Sequence, residues 1–298
     1  MIDSFECCTL CPRNCKVNRN KGEIGICGAS NKLVVARASL HYWEEPCISG
    51  INGSGTIFFS YCNLKCVFCQ NYDISTLHKG KEISIERFAD ICLELQEKGA
   101  KNINLVTPTH YVPLIVEGLR LSKSLGLKIP IVYNSSGYEN VETLKMLEGL
   151  IDIYLPDFKY YSDDVAFKYS KCSNYFECAS LSLKEMYRQV GKPIFTKDGM
   201  MKSGVIVRHL LLPGMENDSK RIIKYLYNTY HDDIYISIMN QYTPIRKNKY
   251  LELNKKIDDM IYEDIIDYAY NLGIRNAFIQ EGETQDESFI PNFNGEGV

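Results

Sequence analysis

The stretch "NINLVTPTHYVPLIVEGLRLSKSLGLKIPIVYNSS", residues 102–136, predicts a strand, a helix and a second strand in succession. "NINLVTP" and "KIPIVYNSS" are short apolar runs next to proline and polar residues, as is typical of buried strands. Between them, "VPLIVEGLRLSKSLG" has apolar residues at helical spacing and ends at a glycine. Because strand, helix and strand in this order make a parallel βαβ unit, the stretch predicts an α/β fold.

The same alternation continues in both directions from this stretch. Upstream, "GTIFFS" predicts a strand and "SIERFADICLELQEKGA" a helix with a serine cap. Downstream, "NVETLKMLEG" predicts the next helix, and three more strands, "IDIYLPDFK", "GVIVRHLLLP" and "IYISIMNQY", are each followed by helical patterns. Six strand–helix units fit either a doubly wound sheet or a barrel. "NAFIQEG" predicts a short seventh strand.

Polar residues stand where these predicted strands end. In a parallel α/β fold, residues at the carboxyl ends of the strands meet at one edge, where a functional site is expected. The residues concerned are Thr107, Thr109, His110, Asn134, Ser135, Ser136, Asp157, Lys159, Arg208, His209, Asn240 and Gln241.

Composition excludes several classes of protein. A formal net charge of -3 and a pI near 6.0 give no general attraction to nucleic acid or acidic lipid, so neither is an expected partner. No apolar run reaches the roughly 20 residues of a membrane span, and the first residues lack the hydrophobic centre of a signal peptide. We therefore expect a cytoplasmic protein.

The chain has 12 cysteines, nine of them within the first quarter of the sequence. Because the cytosol keeps thiols reduced, metal or redox chemistry is a better explanation for them than disulfides. Cys92, Cys172 and Cys178 lie apart from this group and lack ligand spacing.

Three of the cysteines, Cys62, Cys66 and Cys69, occur in "FFSYCNLKCVFCQNY", residues 58–72. Their spacing would also suit one face of a helix, but a strand immediately precedes them and "YCN" is a poor helix start. Three soft thiolates favour an iron–sulfur cluster over a hard cation, and one iron would then lack a protein ligand. An open coordination position is what a catalytic metal keeps.

This Cys-x3-Cys-x2-Cys pattern, with Phe68 directly before the last cysteine, resembles the radical S-adenosylmethionine superfamily. The resemblance implies a partial (β/α)6 TIM-like barrel with a Cys-rich N-terminal extension. It implies a [4Fe-4S] cluster on Cys62, Cys66 and Cys69, whose free iron binds S-adenosyl-L-methionine and cleaves it reductively to a 5′-deoxyadenosyl radical. A reductant such as flavodoxin or ferredoxin would be a partner.

Further segments resemble the branch related to pyruvate formate-lyase activating enzymes, in a match that spans nearly the whole chain. They are "HYWEEPCISGINGSGTIFFSYCNLKCVFCQNYDIS", "NLVTPTHY", "YNSSGYE", "YLPDFKY", "VIVRHLLLPG" and "QYTP". The resemblance implies an oxidoreductase that abstracts a hydrogen atom, with a protein as one candidate substrate, as in glycyl radical activation. RNA and small molecules stay open as substrates.

The resemblance also implies cofactor-binding residues. Where many superfamily members have a "GGE"-like segment to hold the methionyl amine, this chain has "TPTH", which makes Thr107, Thr109 and His110 candidates. By position, Asn134 and Ser135 would approach the ribose. Phe68 would adjoin the cofactor.

The residue that guides hydrogen abstraction is not fixed by any motif, and the candidates are His110, Arg208 and His209. His41, Glu44 and Glu45 are predicted on the strand that leads into the cysteine loop. They are either catalytic groups or buried, paired polar groups of the core.

A second set of cysteines, Cys8, Cys11, Cys15 and Cys27, belongs to a "CxxCPRxC…GEIGICG" pattern that related radical enzymes also carry at their start. Four spaced thiols predict a second metal site, and both zinc and a second iron–sulfur cluster suit four thiolates. Cys7 is left over. We expect a Cys-rich cap over residues 1–50 and the barrel over residues 51–298.

One hypothesis from another class remains open on the residues alone. In it the chain is a zinc-binding barrel that acts as a structural or interaction module, with both cysteine sets structural. A closed tetrahedral zinc site has four ligands, so the three-cysteine loop argues for the enzyme.

Overall fold

The computed structural model describes residues 2–280 and 291–298. The strands are β1 (Leu33–His41), β2 (Ser54–Phe59), β3 (Lys81–Ile83), β4 (Ile103–Val106), β5 (Ile131–Ser135), β6 (Ile153–Pro156), β7 (Ile194–Phe195), β8 (Met201–Leu210), β9 (Tyr235–Met239) and β10 (Ala277–Ile279). The α-helices are α1 (Pro46–Ser49), α2 (Tyr72–Ser75), α3 (Ile85–Glu97), α4 (Val112–Ser124), α5 (Val141–Lys145), α6 (Asp163–Ser170), α7 (Tyr175–Val190), α8 (Glu216–Tyr230) and α9 (Asp259–Leu272).

The sheet has the order β10-β9-β8-β6-β5-β4-β2-β1-β3, and the strands from β2 to β10 along this path are parallel. Because the order follows the chain without reversal, the crossovers all wind in one direction, as in a barrel rather than a doubly wound sheet. Within residues 2–280 and 291–298, the path ends at β3 and β10 without closing. The predicted partial TIM-like barrel with six strand–helix units and a short seventh strand is confirmed.

Three strands lie outside the predicted repeat. β1 pairs with β2 in antiparallel register, β3 pairs with β1, and the two-residue β7 forms a hairpin with β8. Part of the Cys-rich cap region thus contributes a strand to the main sheet. A division of the chain at residue 50 stays a prediction.

Helices α3 and α4 show how the layers pack. Ser84 caps α3 by accepting a hydrogen bond from the Arg87 amide, as its sequence predicts. The apolar face of α4 is buried, and Gly118 lets the two helices approach closely, because a Cβ there would lie 2.4 Å from the Phe88 ring. The helices therefore cover the outside of the sheet and leave the carboxyl ends of the strands free to carry loops.

No helix within residues 2–280 and 291–298 combines the length and apolar character needed to cross a membrane.

Candidate functional site

A cavity of about 230 Å³ lies at the carboxyl ends of the parallel strands. Residues from the cysteine loop and from the ends of five further strands line it together, although they are far apart in sequence. Among them are Cys62, Cys66, Phe68, Cys69, Thr107, Asn134, Ser135, Ser136, Asp157, Lys159, Arg208 and Gln241. The structure thus brings the three-cysteine motif and most of the predicted strand-end residues to one place.

The cysteine loop follows β2, and each of its three sulfurs has a hydrogen-bonding neighbour, one from the loop itself, one from α2 and one from α6. The Leu64 amide donates to Cys62 Sγ (3.4 Å), the Ser170 hydroxyl donates to Cys66 Sγ (2.9 Å), and the Ser75 hydroxyl lies 3.3 Å from Cys69 Sγ. Hydrogen bonds to sulfur are one of the means by which proteins tune iron–sulfur clusters. The donor set therefore fits a thiolate-bound cluster.

The same thiols are poor ligands for a single ion. Among residues 2–280 and 291–298, no three His, Cys, Asp or Glu side chains converge closely enough to hold one metal ion. A [4Fe-4S] cluster needs no such convergence, since each thiolate binds a different iron. A cluster therefore suits the loop better than a single zinc ion does.

Burial sets the protonation state of these thiols. It raises the pKa of Cys62 and Cys66 above the ordinary value, and at Cys66 the positive charge of Lys159 opposes the rise. Both groups hold their protons at neutral pH in the absence of a metal. Cluster binding must displace those protons, which couples it to pH.

Four charged side chains form a network in the wall of the cavity. The Arg208 guanidinium pairs with Glu44 (2.9 Å) and Asp157 (3.3 Å) and donates to Asn134 Oδ1 (2.6 Å), while Lys159 pairs with Asp157 (2.6 Å). Burial alone would raise the pKa of Asp157, but the Lys159 and Arg208 charges hold it below its ordinary value. Asp157 is therefore ionised, and Arg208 fixes the Asn134 amide.

Lys159 is the cation closest to the cluster loop within this network. Burial lowers its pKa, but the charge of Asp157 and its hydrogen bond with Lys159 outweigh that effect and keep the pKa above its ordinary value. The Lys159 ammonium therefore stays charged beside Cys66, where it favours an anionic thiolate or an anionic cofactor group.

The two threonines of "TPTH" have different environments. Thr107 lines the cavity with φ at 60°, which is unusual for a β-branched residue, and its amide donates to the Asn134 carbonyl (2.8 Å). Strained backbone of this kind is concentrated at functional sites. Thr109 instead donates its hydroxyl hydrogen to Glu139 Oε1 (2.6 Å) in the protein interior, away from the cavity lining.

Two of the three candidates for guiding hydrogen abstraction also lie away from the cavity lining. His110 bonds the Ser60 carbonyl through Nε2 (2.9 Å), and His209 bonds the Phe158 carbonyl and the Ser219 hydroxyl (2.7 and 2.8 Å). Burial lowers the pKa of His110 to about 3 and that of His209 to about 4, so both rings are neutral. Only Arg208 of these candidates lines the cavity.

The prediction for the acidic pair before the cysteine loop was wrong about its place. His41 ends β1, and Glu44 and Glu45 follow it in a loop rather than on β2, the strand that leads into the cysteines. Glu44 reaches the cavity and pairs with Arg208, a partner 164 residues away. No local sequence signal identifies such a pair. Glu45 is buried, and burial raises its pKa.

The N-terminal cysteines lie in irregular segments before β1. Cys11 and Cys27 are buried, Cys8 and Cys15 are partly buried, and Cys7 is exposed. Burial raises the pKa of Cys11 to about 12 and also raises that of Cys27, and the charges of neighbouring members of the set add to both rises. Among the residues that the structure describes, no three of these side chains converge closely enough to hold one metal ion, so the four-thiol site stays a prediction.

Known proteins are similar to this chain in sequence and in fold. The sequence profile of the Radical SAM superfamily matches residues 56–226, more than half of the chain. The uncharacterized protein MJ0674 of Methanocaldococcus jannaschii is 31% identical over 283 residues, which cover 91% of this chain and 77% of that protein.

Two solved structures have a similar fold at low sequence identity. Streptococcus suis SuiB, crystallised with its precursor peptide SuiA, superposes with a TM-score of 0.51 at 13% identity, over 75% of this chain and 47% of SuiB. HydG, a maturase of the [FeFe]-hydrogenase, superposes with a TM-score of 0.53 at 13% identity, over 76% of this chain and 52% of HydG. The chain thus spans about half the length of either protein, and the likeness concerns the fold.

The family match covers the three-cysteine loop and the strand ends that form the cavity. The cofactors that go with it are a [4Fe-4S] cluster and S-adenosyl-L-methionine, and the donor set around Cys62, Cys66 and Cys69 fits the cluster. This chain belongs to the radical S-adenosylmethionine superfamily.

Proposed function

We propose that this protein abstracts a hydrogen atom from a protein or peptide substrate, as glycyl radical activating enzymes do. The observation that carries the proposal is that the three-cysteine loop and the charged strand ends face one cavity. When bound, the cluster and S-adenosyl-L-methionine supply a 5′-deoxyadenosyl radical and methionine. We propose Cys62, Cys66 and Cys69 as the cluster ligands.

The remaining cavity residues would position the cofactor and substrate. Asn134 is oriented by Arg208, and Thr107 is held by the backbone of Asn134, so both can present fixed polar groups to a nucleoside or amino-acid moiety. The charged ammonium of Lys159 suits a carboxylate. Phe68 lines the cavity next to Cys69 and offers an apolar surface.

A peptide substrate is supported by the aromatic and charged residues that line the cavity beside the cysteines. Trp43, with 61% of its surface exposed, and Phe58 line the cavity together with Glu44. Aromatic and charged groups side by side can receive an amino-acid side chain. SuiB, which shares the fold, binds a precursor peptide.

We also infer a flavodoxin or ferredoxin as the reductant. We infer a cytoplasmic location as well, and the 12 free cysteines support that location.

The first test is cofactor cleavage. Anaerobically reconstituted protein, given dithionite and S-adenosyl-L-methionine, should release 5′-deoxyadenosine, measured by liquid chromatography and mass spectrometry. Cys66→Ala should abolish the release because the cluster loses a ligand, whereas Cys7→Ala, at an exposed cysteine outside the cavity, should not. Undiminished cleavage by Cys66→Ala would contradict the assignment of the cluster.

The substrate class is tested with the same readout. A cell extract that contains the substrate should increase 5′-deoxyadenosine release, and protease treatment of the extract should remove the increase. Loss of the increase after ribonuclease treatment would instead identify RNA. Its recovery in a low-molecular-weight filtrate that has been treated with protease would identify a small molecule other than a peptide. Either result would overturn the protein or peptide substrate and leave the cluster assignment intact.

A further inference from the structure

The N-terminal extension contains a buried cation without a carboxylate partner. Arg19 is 2% exposed, and its guanidinium donates to the carbonyls of His110 (2.7 Å) and Ser30. Within the part of the chain that the structure describes, no carboxylate forms an ion pair with Arg19, and its Nε has no hydrogen-bond partner. Its Nη1 lies 4.0 Å from Cys8 Sγ.

An isolated buried charge is costly, so buried cations are normally paired with an anion. The rings of Phe5 and Tyr111 lie 4.4 and 6.0 Å from the Arg19 guanidinium carbon, but such cation–π contacts replace only part of a counter-ion. The ionisable side chains beside Arg19 are those of His110 and Tyr111, both buried, and two thiols, since Arg19 lies against Cys8 and its charge also acts on Cys27. Four neutral thiols would leave Arg19 uncompensated, whereas metal-bound thiolates would not.

The loop around Cys15 shows a second feature of a sulfur site. The Ile26 amide donates to Cys15 Sγ at 3.4 Å, and the chain passes so close that a Cβ on Gly25 would lie 2.9 Å from that sulfur. A glycine is therefore needed for the loop to wrap the thiol. Two of the four sulfurs thus have an N–H donor in the metal-free protein: Cys8 has the Arg19 guanidinium and Cys15 has the Ile26 amide.

We propose that Cys8, Cys11, Cys15 and Cys27 form a second metal centre, a tetrathiolate site with Arg19 as its counter-ion. Four thiolates around Zn²⁺ or around a [4Fe-4S]²⁺ cluster have a net charge of about −2, and the Arg19 guanidinium would offset about half of it. With four protein ligands the site is closed, so it does not bind S-adenosyl-L-methionine. Because the four sulfurs do not converge on one point, a cluster requires less rearrangement of the loops than zinc.

The centre is tested in a variant that cannot hold the first cluster. In Cys62→Ala/Cys66→Ala/Cys69→Ala protein, anaerobic purification and reconstitution should leave about one zinc, or about four iron and four sulfide, per chain. Adding Cys11→Ala and Cys15→Ala should remove this metal, whereas adding Cys7→Ala should not. Elemental analysis and circular dichroism would be measured on the same samples. A folded triple variant without metal, or with metal that persists after Cys11 and Cys15 are replaced, would overturn the proposal.

The role of Arg19 is tested in the same background by chelator competition. Arg19→Met should weaken metal binding about 10- to 100-fold, as loss of a group next to metal ligands typically does. Arg19→Lys keeps the charge and should recover part of the affinity. Equal affinity in the methionine and arginine forms would show that Arg19 is not the counter-ion. Because metal retention does not depend on S-adenosyl-L-methionine cleavage, the outcome is independent of the proposed function.

Discussion

At the scale of single residues, the buried carboxyl group of Glu139 makes the stability of the protein depend on pH. The carboxylate accepts hydrogen bonds from Thr109 (2.6 Å) and Tyr133 (3.2 Å), but burial dominates and raises its pKa from 4.5 to about 7. The folded protein therefore holds a proton that the unfolded chain releases above about pH 4.5. Its contribution to stability is complete below that pH and is lost as the pH rises to about 7.

We predict that Glu139→Gln abolishes this pH dependence. Between pH 4.5 and 7.5, ionisation of Glu139 should lower the free energy of unfolding of the wild-type protein by roughly 3 kcal/mol. This magnitude follows from the shift of its pKa. Glutamine stays neutral and can keep one accepted hydrogen bond, so the variant should lack the loss. Urea unfolding at both pH values measures the difference, with Glu142→Gln at an exposed position as the control. Parallel pH profiles for wild type and Glu139→Gln would refute the assignment.

The sequence identified some site residues and necessarily missed others. Cys62, Cys66 and Cys69 carry a local pattern, and Asn134 follows a strand whose end is recognisable from its composition. The pairing of Arg208 with Glu44 has no local pattern, because it depends on how β1 and β8 approach across the barrel. For the same reason the sequence could not separate Thr107, which lines the cavity, from Thr109, which does not.

At the scale of elements, most strands that the sequence identified are buried on both faces, although the short β10 is not. They lie between amphipathic helices, so the spacing of apolar residues changes from a strand pattern to a helix pattern at each boundary. β3 and β7 have only three and two residues and little burial, and neither produces such a signal. β1 is longer but antiparallel, and no long helix connects it to β2, so it falls outside the strand–helix repeat.

The Arg13 side chain connects the N-terminal extension to the cysteine loop. Arg13, which lies between Cys11 and Cys15, donates to the Asn63 carbonyl (2.9 Å) in the cysteine loop. It also donates to the carbonyls of Ser170 (3.1 Å) and Lys171 at the carboxyl end of α6, where a cation is favourable. Since Ser170 also contacts Cys66, Arg13 ties both cysteine sets to α6.

We predict that Arg13→Met loosens the cysteine loop. Loss of charged hydrogen bonds to partly buried carbonyls should lower the free energy of unfolding by about 2 kcal/mol. Amide hydrogen exchange in residues 62–69 should become faster, because Asn63 is no longer held. Lys21→Met removes an exposed cation from the same extension and serves as the control. Unchanged exchange in the cysteine loop of Arg13→Met would show that the extension does not support it.

At the scale of the whole molecule, the strand–helix pattern fitted a barrel or a doubly wound sheet and the family resemblance predicted the barrel, but neither indicated how its open side is covered. The outer edge of β1 pairs with β3 over its first residues. Beyond them it pairs with the C-terminal segment, residues 291–298, through Ala38 N to Glu296 O (2.9 Å) and Gly295 N to Ala36 O (3.1 Å). These contacts join residues that are far apart in sequence, so the local spacing of apolar residues does not reveal them.

The C-terminal segment also adds to the cavity wall. Pro291 lines the cavity, and the Phe293 ring packs edge-on against Phe58 at 5.5 Å between centroids. Arg37 pairs with Glu296 at 2.8 Å. Docking of this segment therefore covers a strand edge that would otherwise be exposed and completes one side of the site.

Two glycines of the C-terminal segment allow a matched test of this docking. Both have positive φ, so alanine is strained at either position, but a Cβ on Gly297 would lie 2.0 Å from the Ala38 carbonyl oxygen, whereas one on Gly295 would meet only the Lys81 side chain at 3.4 Å. We predict that Gly297→Ala destabilises the protein by about 1–3 kcal/mol more than Gly295→Ala, since the clash must be relieved by moving backbone. Hydrogen exchange at the Ala38 amide should be faster in Gly297→Ala, because its bond to Glu296 is broken, and thermal unfolding should follow the same order. Equal exchange at Ala38 in the two variants would mean that this edge of β1 is protected without the C-terminal segment.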